Sequence, residues 1–441
     1  MTAERLIARI HRDEWPLVIL MFCYFFAVIT TFWILKPIKK GLFIDFYRSG
    51  GGTLQILGWQ LTASQAELIA KVGNLVVVFV AVVVFTMLAR TLRRQQLTYV
   101  FGAFCLAALL FFRIVLPGAG ELTVWSFYIF GDLYNSLMVA TFFAFLNDSV
   151  SPAQARRLYG PIILGGVCGG AFGSMFVLAE IDHFVPSTWT LICVAITVLV
   201  VALAALAGRV VSRRRGLAND VTPALPVAPR RANPALEGAR LVFRSRYLLA
   251  IVSLVALYEV VSQLLDYQFT ATVAHYTTGD TATHFSTVYA ITNGVALFVQ
   301  LFLTANIMTR FGLRVALLVM PCLILGASGL FVALPILWVG SSLNTVDNAF
   351  NYSINQSARE SLYTPLTRDE KYKAKAFIDM FLYRAAKVVA IGVALVVGAC
   401  CQSGEFTAVR WLSVATIGLA CVWIAVGWYA GGRFHDMTDA S

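Results

Sequence analysis

The chain has 441 residues, of which 59% are hydrophobic and 13% are charged, and its formal net charge is +11. This composition excludes an ordinary soluble domain, because the apolar stretches are too long and too numerous for one water-surrounded core. The positive charge does not indicate a nucleic-acid partner, since the basic residues are concentrated in the connections between apolar stretches. We therefore predict an all-α protein that crosses a lipid bilayer several times.

About twelve apolar runs are long enough to cross the membrane, since a helix needs roughly 20 residues to span about 30 Å of hydrocarbon. They lie near residues 16 to 35, 66 to 89, 97 to 116, 122 to 146, 160 to 180, 188 to 208, 247 to 274, 284 to 308, 313 to 334, 336 to 362, 375 to 400 and 406 to 430. Arginines follow the second, fourth and eighth runs, whereas the connections after runs five, seven and nine have no Lys or Arg. By the positive-inside rule both termini face the cytoplasm, and we expect a bacterial inner membrane.

A basic, proline-containing stretch divides the runs into two sets of six. We predict an N-terminal six-helix half at 1–208, a cytoplasmic linker at 209–246 and a C-terminal six-helix half at 247–441. This is the plan of major-facilitator transporters, whose substrate site lies near the bilayer midplane. The segment from Asn306 to Arg314 is similar to a loop motif of that superfamily, which makes Arg310 and Arg314 candidates for gating. We expect a monomer.

The first predicted span ends with the cations Lys36, Lys39 and Lys40, although the connection that follows should be external and poor in cations. Two interpretations are open: lysines that extend to the membrane interface, or a cationic clamp for an anionic solute. We favour the clamp, because cations are scarce in the other external connections. In the second span, the i, i+4 spacing of Glu67 and Lys71 predicts a local ion pair near the external surface.

Several acidic residues lie deep within predicted spans. Asp132, with Asn135 one turn on, is near the middle of the fourth span, where either a role in coupling or binding or a fixed ion pair would account for it. The seventh span presents Glu259, Gln263 and Asp266 on one helical face, which predicts a cavity. Either carboxyl group is a candidate proton carrier, because burial raises the pKa of a carboxyl group.

The fifth span contains glycines at steps of four, Gly165, Gly169 and Gly173. Without side chains, such a row leaves a groove into which the backbone of another helix fits. We therefore predict close helix packing along this face.

The stretch from 344 to 387 is the most polar segment among the predicted spans. Five residues recur at steps of three and four and share one helical face, with Asp347 at its edge: Asn344, Asn348, Asn351, Asn355 and Arg359. The next apolar run contains Arg384 and Lys387. Charged groups at such depth cost several kcal/mol unless they line a wet cavity or find partners, so a substrate or ion pathway is the default interpretation.

Four segments together resemble the ATP/ADP translocases, the nucleotide transporters of plastids and intracellular bacteria. They are Ile34 to Leu42, Phe127 to Ser136, Tyr258 to Phe269 and the long gap-free match from Tyr352 to Lys387. The resemblance implies that Lys36, Lys39, Asp132, Asp266 and Lys387 occupy positions important for nucleotide transport. The chain departs from the family where Pro37 and Lys40 replace aspartates and where Asp132 and Asp266 replace glutamates.

We therefore expect a secondary transporter of an anionic, phosphorylated solute, with nucleotide exchange by alternating access as the leading hypothesis. The candidate substrate-binding residues are Lys36, Lys39, Lys40, Asp132, Asn135, Asp266, Asn348, Asn351, Asn355, Arg359, Arg384 and Lys387. The candidates for coupling or gating are Asp132, Glu259, Asp266, Asp347, Arg310 and Arg314.

Two other functions stay open at this point: a proton-coupled permease for an organic anion, peptide or metal chelate, and an integral-membrane enzyme or sensor. Catalysis is disfavoured because the chain has no P-loop, no HExxH and no strong nucleophile motif. The eight cysteines show no metal-ligand spacing. We expect no catalytic residue, no cofactor and no metal site.

Overall fold

The protein is almost wholly helical. The structure, a computed structural model, describes residues 11, 13–50, 54–56, 59–217, 240–242, 244–277, 279, 281–367, 370, 374–375, 377–378, 382–400 and 405–439. Most of the predicted linker at 209–246 lies outside these residues.

Six long helices make up the first half of the chain. They are α1 Trp15–Arg48, α2 Ala63–Thr91, α3 Arg94–Val115, α4 Glu121–Ser149, α5 Pro152–Glu180 and α6 Pro186–Leu217. A short antiparallel pair of strands, β1 Gln55–Ile56 and β2 Trp59–Gln60, connects α1 to α2. Capping boxes start α2 and α5, since Thr62 and Ser151 each exchange hydrogen bonds with the glutamine three residues on.

Within the described residues of the second half, two π-helical turns are complete, and the sequence patterns did not predict them. The helices are α7 Arg246–Tyr276, α8 Thr281–Phe298, α9 Thr304–Arg310, α10 Gly312–Ala333, α11 Leu337–Phe350, α12 Gln356–Ser361, α13 Tyr383–Cys400 and α14 Glu405–Asp439. The π turns are Val299–Leu303, between α8 and α9, and Asn351–Asn355, between α11 and α12. Such turns occur frequently at functional sites.

Ten helices within the described residues are long and apolar enough to cross a membrane. The sequence predicts about twelve. The predicted run from 336 to 362 is divided by a π turn into α11 and α12, and the run from 375 to 400 is described continuously only as α13. The count of twelve spans therefore stays a prediction.

The contacts divide the chain into two compact units. The first comprises Met1–Leu225 and Gly279–Asn293, and the second comprises Pro226–Thr278 and Gly294–Ser441. In the first unit α1 packs against α4, α5 and α6, and in the second unit α7 packs against α11, α13 and α14. The helices α1 and α7, which carry many of the predicted site residues, therefore each lie at the centre of a unit. The predicted boundaries at 208 and 247 stay a prediction.

The glycines of α5 bring its backbone directly against α1. A Cβ atom added to Gly165 would lie 2.5 Å from the carbonyl oxygen of Phe22, and one added to Gly173 would lie 2.8 Å from that of Thr30. The hydroxyl of Thr30 also donates a hydrogen bond to the carbonyl of Gly169 at 3.2 Å. The predicted close packing is confirmed, and it fixes the position of α1.

An ion pair makes a second connection between α1 and α5. Arg157 Nη2 lies 2.5 Å from Oε1 of Glu14, which is 1% exposed, and Gln154 donates to the same oxygen at 3.2 Å. Burial works to raise the pKa of Glu14, but the hydrogen bonds from Arg157 and from the backbone of His11 outweigh it and lower the pKa below its ordinary value. Glu14 therefore stays ionised, and its ion pair with Arg157 holds the start of α1 against α5.

Replacing Gly165 with alanine tests the close packing of α1 and α5. We expect Gly165→Ala to lower the free energy of unfolding by about 1–3 kcal/mol, because the added methyl group overpacks a contact with backbone that cannot move aside. Thermal unfolding of the purified protein in detergent measures the change. Gly326→Ala is the matched control, since nothing lies within 4 Å of a Cβ there. Equal stability of the two variants would contradict the packing.

Candidate functional site

Lys39 of α1 forms an ion pair with Asp132 of α4. Its Nζ lies 2.5 Å from Asp132 Oδ1, and it also donates to the carbonyl of Tyr128 at 3.3 Å. The other carboxylate oxygen accepts a hydrogen bond from Nδ2 of Asn74, on α2, at 2.9 Å. Gly131 leaves room for the lysine, because a Cβ there would lie 2.6 Å from Lys39 Cδ. The sequence left the role of Asp132 open, and the structure shows that it forms an ion pair with a buried lysine.

Glu67 of α2 is the residue whose role sequence reasoning most underestimated. Its predicted ion pair with Lys71 is confirmed at 3.3 Å, but Glu67 is 0% exposed and also lies 3.5 Å from Nζ of Lys40. The hydroxyl of Tyr128 donates to its Oε1 at 2.8 Å. Because Lys40 is only 4% exposed, its side chain does not extend to the membrane interface. The i, i+4 spacing indicated one partner, and the other two come from α1 and α4.

Lys36 is surrounded by aromatic rings. Its Nζ lies 4.4 Å from the ring centre of Trp33, 4.5 Å from that of Tyr289 and 5.8 Å from that of Phe32. Ring faces attract an ammonium group through their quadrupoles, and they do so without cancelling its charge. The rings therefore help to hold this ammonium group within an apolar helix.

The polar residues that follow Asp132 continue along α4. Ser136 donates its hydroxyl to the backbone carbonyl of Asp132 at 2.9 Å. Asn135 is half-buried, and its Oδ1 has no hydrogen-bond partner within the part of the chain that the structure describes. The amide of Asn135 therefore retains unused hydrogen-bonding capacity, as expected of a residue that contacts a ligand.

The second unit contains its own carboxylate and lysine pair. Lys387 Nζ, on α13, lies 3.4 Å from Oε1 of Glu259, on α7, and Gln263 Nε2 also lies 3.4 Å from that oxygen. The hydroxyl of Ser262 donates to Oδ2 of Asp347, on α11, at 2.7 Å. The polar face predicted for α7 thus meets polar groups of two other helices.

Asp266 and Arg384 are both half-buried. Asp266 lies two turns after Glu259 on α7, and its backbone carbonyl accepts a hydrogen bond from Thr270 at 2.8 Å. Arg384 lies three residues before Lys387 on α13, so the two cations share one side of that helix. Their roles in binding stay predictions.

The asparagine series converges on Arg359 through a π turn. Asn351 Oδ1 accepts hydrogen bonds from Asn355 Nδ2 at 3.2 Å and from Arg359 Nη2 at 3.3 Å. One turn earlier, Asn348 donates to the backbone carbonyl of Asn344 at 3.0 Å. The extra residue of the π turn changes the register of the polar face, so a regular α-helical spacing describes this segment only approximately.

A polar cavity of about 120 Å³ lies beside Arg359. Lys375 and Glu360 also line it and form an ion pair at 2.6 Å. The guanidinium carbon of Arg359 lies 4.6 Å from the ring centre of Tyr258. This volume has room for several water molecules, and among the described residues that line it two cations accompany one carboxylate.

The two arginines predicted to act in gating flank Gly312, which has a φ of +77°. Arg310 is exposed in the last turn of α9. The guanidinium carbon of Arg314, on α10, lies 3.3 Å from the ring centre of Trp428, on α14. Arg314 therefore braces two helices of the second unit, while a gating role for either residue stays a prediction.

Solved structures with a similar arrangement of helices are membrane transporters. The nucleoside transporter NupG is 12% identical, with a TM-score of 0.62 over 94% of this chain and 99% of that one. A bacterial homologue of the iron transporter ferroportin is 9% identical, with a TM-score of 0.63 over 95% and 99%. At these identities the likeness shows the fold alone. The protein is an all-α, multi-pass membrane protein of the major-facilitator type, as predicted.

Sequence comparisons indicate one family of membrane transporters. The model of the TLC ATP/ADP transporter family matches residues 120–337. ADP,ATP carrier protein 1 of Chlamydia muridarum (strain MoPn / Nigg) is 22% identical over 497 residues, covering 96% of this chain and 90% of that protein. ADP,ATP carrier protein 2, chloroplastic, of Arabidopsis thaliana is 21% identical over 353 residues, covering 71% and 56%. The chain therefore resembles the ATP/ADP transporter family over most of its length, and the predicted resemblance is confirmed.

The ion pair of Lys39 and Asp132 predicts a non-additive effect on stability. Asp132→Asn leaves a buried ammonium group without its carboxylate, and we expect the free energy of unfolding to fall by about 3–5 kcal/mol. In the double variant Lys39→Met, Asp132→Asn neither charge of this pair remains, and we expect most of the loss to be recovered. Unfolding of both variants in detergent measures this. A double variant no more stable than Asp132→Asn would contradict the pairing.

Proposed function

We propose that the protein exchanges nucleotides of the ATP/ADP type across a bacterial inner membrane by alternating access, with both termini in the cytoplasm. The resemblance to the ATP/ADP transporter family supports the class of substrate. One observation carries the proposal for this chain: three lysines of a single apolar helix, α1, lie within its unit beside carboxylates and aromatic rings. Such a cluster fits a negatively charged solute.

The phosphate groups of a nucleotide lose water when they enter an apolar pathway, so cations must replace that hydration. Lys36 supplies a positive charge beside the rings of Trp33 and Tyr289. Lys39 and Lys40 are held by Asp132 and Glu67 in this structure. These carboxylates compensate the buried ammonium groups when no substrate is present, and Asp132 orients Lys39 when the anion arrives.

The second unit contributes cations of its own in this proposal. Lys387 and Arg384 bind the anion, and Arg359 assists from beside the polar cavity. The amides of the asparagine series donate hydrogen bonds to the solute: Asn348, Asn351 and Asn355. Coupling and orientation are assigned to three carboxylates of this unit: Glu259, Asp266 and Asp347. Arg310 and Arg314 brace the ends of helices that move during transport.

Exchange by the purified protein tests the proposed function. We expect proteoliposomes preloaded with ADP to take up labelled ATP, and we expect Lys36→Ala and Lys387→Ala each to abolish this uptake. The physical reason is that each substitution removes a cation that compensates phosphate charge in a desolvated site.

Arg433→Ala is the matched control, because Arg433 lies in an exposed ion pair with Asp436 at 3.6 Å, and we expect normal exchange. Normal exchange by both lysine variants would remove the proposed site. Uptake that follows a pH gradient into vesicles without ADP would show a proton-coupled permease instead of an exchanger.

A further inference from the structure

We propose that Glu67 is a positioning residue that competes with the substrate for the lysines of the first unit. In the substrate-free protein its carboxylate holds Lys40 and Lys71, and it thereby sets how tightly an anion binds and how quickly the anion leaves. This inference rests on the proposed anion site. It assigns a transport role to a residue whose spacing alone indicates a local ion pair.

The position of Glu67 is unlike that of an ordinary i, i+4 pair. Exposed pairs of that kind contribute about 0.3–0.5 kcal/mol and face water, whereas Glu67 is 0% exposed. Its three partners come from three helices: Lys40 from α1, Lys71 from α2 and Tyr128 from α4. A side chain that connects three helices at the level of the lysine cluster belongs to that cluster.

The distances show that Glu67 holds each lysine loosely. Ammonium and carboxylate groups in a strong hydrogen bond are about 2.7–2.9 Å apart, and Lys39 and Asp132 are closer still, at 2.5 Å. Lys40 and Lys71 are 3.5 Å and 3.3 Å from Glu67. Its Oε2 is the oxygen that faces Lys71, and this buried atom makes no hydrogen bond among the described residues. One carboxylate is therefore shared between two cations, an arrangement that an incoming anion can displace.

Tyr128 connects this carboxylate to the second ion pair of the cluster. Its hydroxyl donates to Glu67 at 2.8 Å, while its backbone carbonyl accepts from Lys39 at 3.3 Å and its ring centre lies 4.5 Å from Lys39 Nζ. A phosphate group that draws Lys39 away from Asp132 changes the surroundings of Tyr128 at the same time. Glu67 and Asp132 therefore act on one connected set of lysines.

Competition follows from these contacts. A bound anion gains only the difference between its own attraction for the lysines and the attraction of the carboxylates it displaces. Removing the charge of Glu67 strengthens anion binding in the ground state, and a substrate held more tightly there is released more slowly. A group that merely supported the fold would not tighten binding when removed.

Glu67→Gln tests this, because glutamine keeps the shape and can still accept the hydrogen bond from Tyr128 while losing the charge. In ADP-loaded proteoliposomes we expect the KM for ATP to fall by about tenfold, within the usual range for coupled sites, and the maximal rate to fall as well. Titration calorimetry of the full-length purified protein should show a lower Kd for ATP. Glu121→Gln is the matched control: Glu121 also accepts from a tyrosine hydroxyl, at 2.7 Å, and we expect its KM to be unchanged.

If Glu67 competes with the substrate for Lys40, Lys71→Gln should change ATP binding in the direction opposite to Glu67→Gln. With Lys71 gone, the whole carboxylate charge acts on Lys40, and we expect ATP to bind more weakly than in the wild type. This variant decides the question if Glu67→Gln does not fold: weaker ATP binding supports the inference, and unchanged or tighter binding overturns it.

The proposed function and the role of Glu67 can be contradicted separately. Wild-type protein that neither binds nor exchanges ATP overturns the proposed function. Wild-type exchange together with an unchanged or raised KM in Glu67→Gln overturns the role of Glu67 alone.

Discussion

The need to compensate ammonium groups inside apolar helices governs this structure. Lys39 and Lys40 lie in α1, which is otherwise apolar at this level, and each is 4% exposed. Carboxylates and rings from α2, α4 and the first part of α8 surround them. Buried ion pairs are poor sources of stability, because the desolvation of both ions offsets much of their attraction, and apolar residues of similar size are often as stable. The lysines are therefore poorly explained as a source of stability, which is why the proposed function gives them an anion to bind.

The packing of α1 makes this cluster possible. The glycine row of α5 lets the first part of α1 pack directly against the α5 backbone. Gly131 leaves room beside α4 for the side chain of Lys39. Sites built on rigid helices hold their geometry better than sites on loops. The charge pattern of α1 differs in one respect from that of the ATP/ADP translocases that the sequence resembles. Lys40 stands where the family has an aspartate, and Glu67 supplies the negative charge beside it.

Sequence periodicity was sufficient for features that depend on one helix. It identified the deep charges of α1, α4 and α7, the packing glycines of α5 and the ion pair of Glu67 with Lys71. It did not identify pairs between helices, such as Lys39 with Asp132, because the spacing within a span carries no record of which other span packs beside it. The same limit hid the full role of Glu67. The π turn at Asn351 was missed for another reason: an inserted residue leaves the composition of the helix unchanged while it shifts the polar face.

Direct binding of nucleotides of different charge tests the central claim that buried lysines recognise phosphate. Titration calorimetry of the purified wild-type protein would compare ATP, AMP and adenosine at one ionic strength. If the lysines bind phosphate, affinity falls in that order and adenosine, which carries no phosphate, shows no measurable heat of binding. Adenosine that binds as tightly as ATP would contradict the claim, because recognition would then depend on the base and sugar and not on charge.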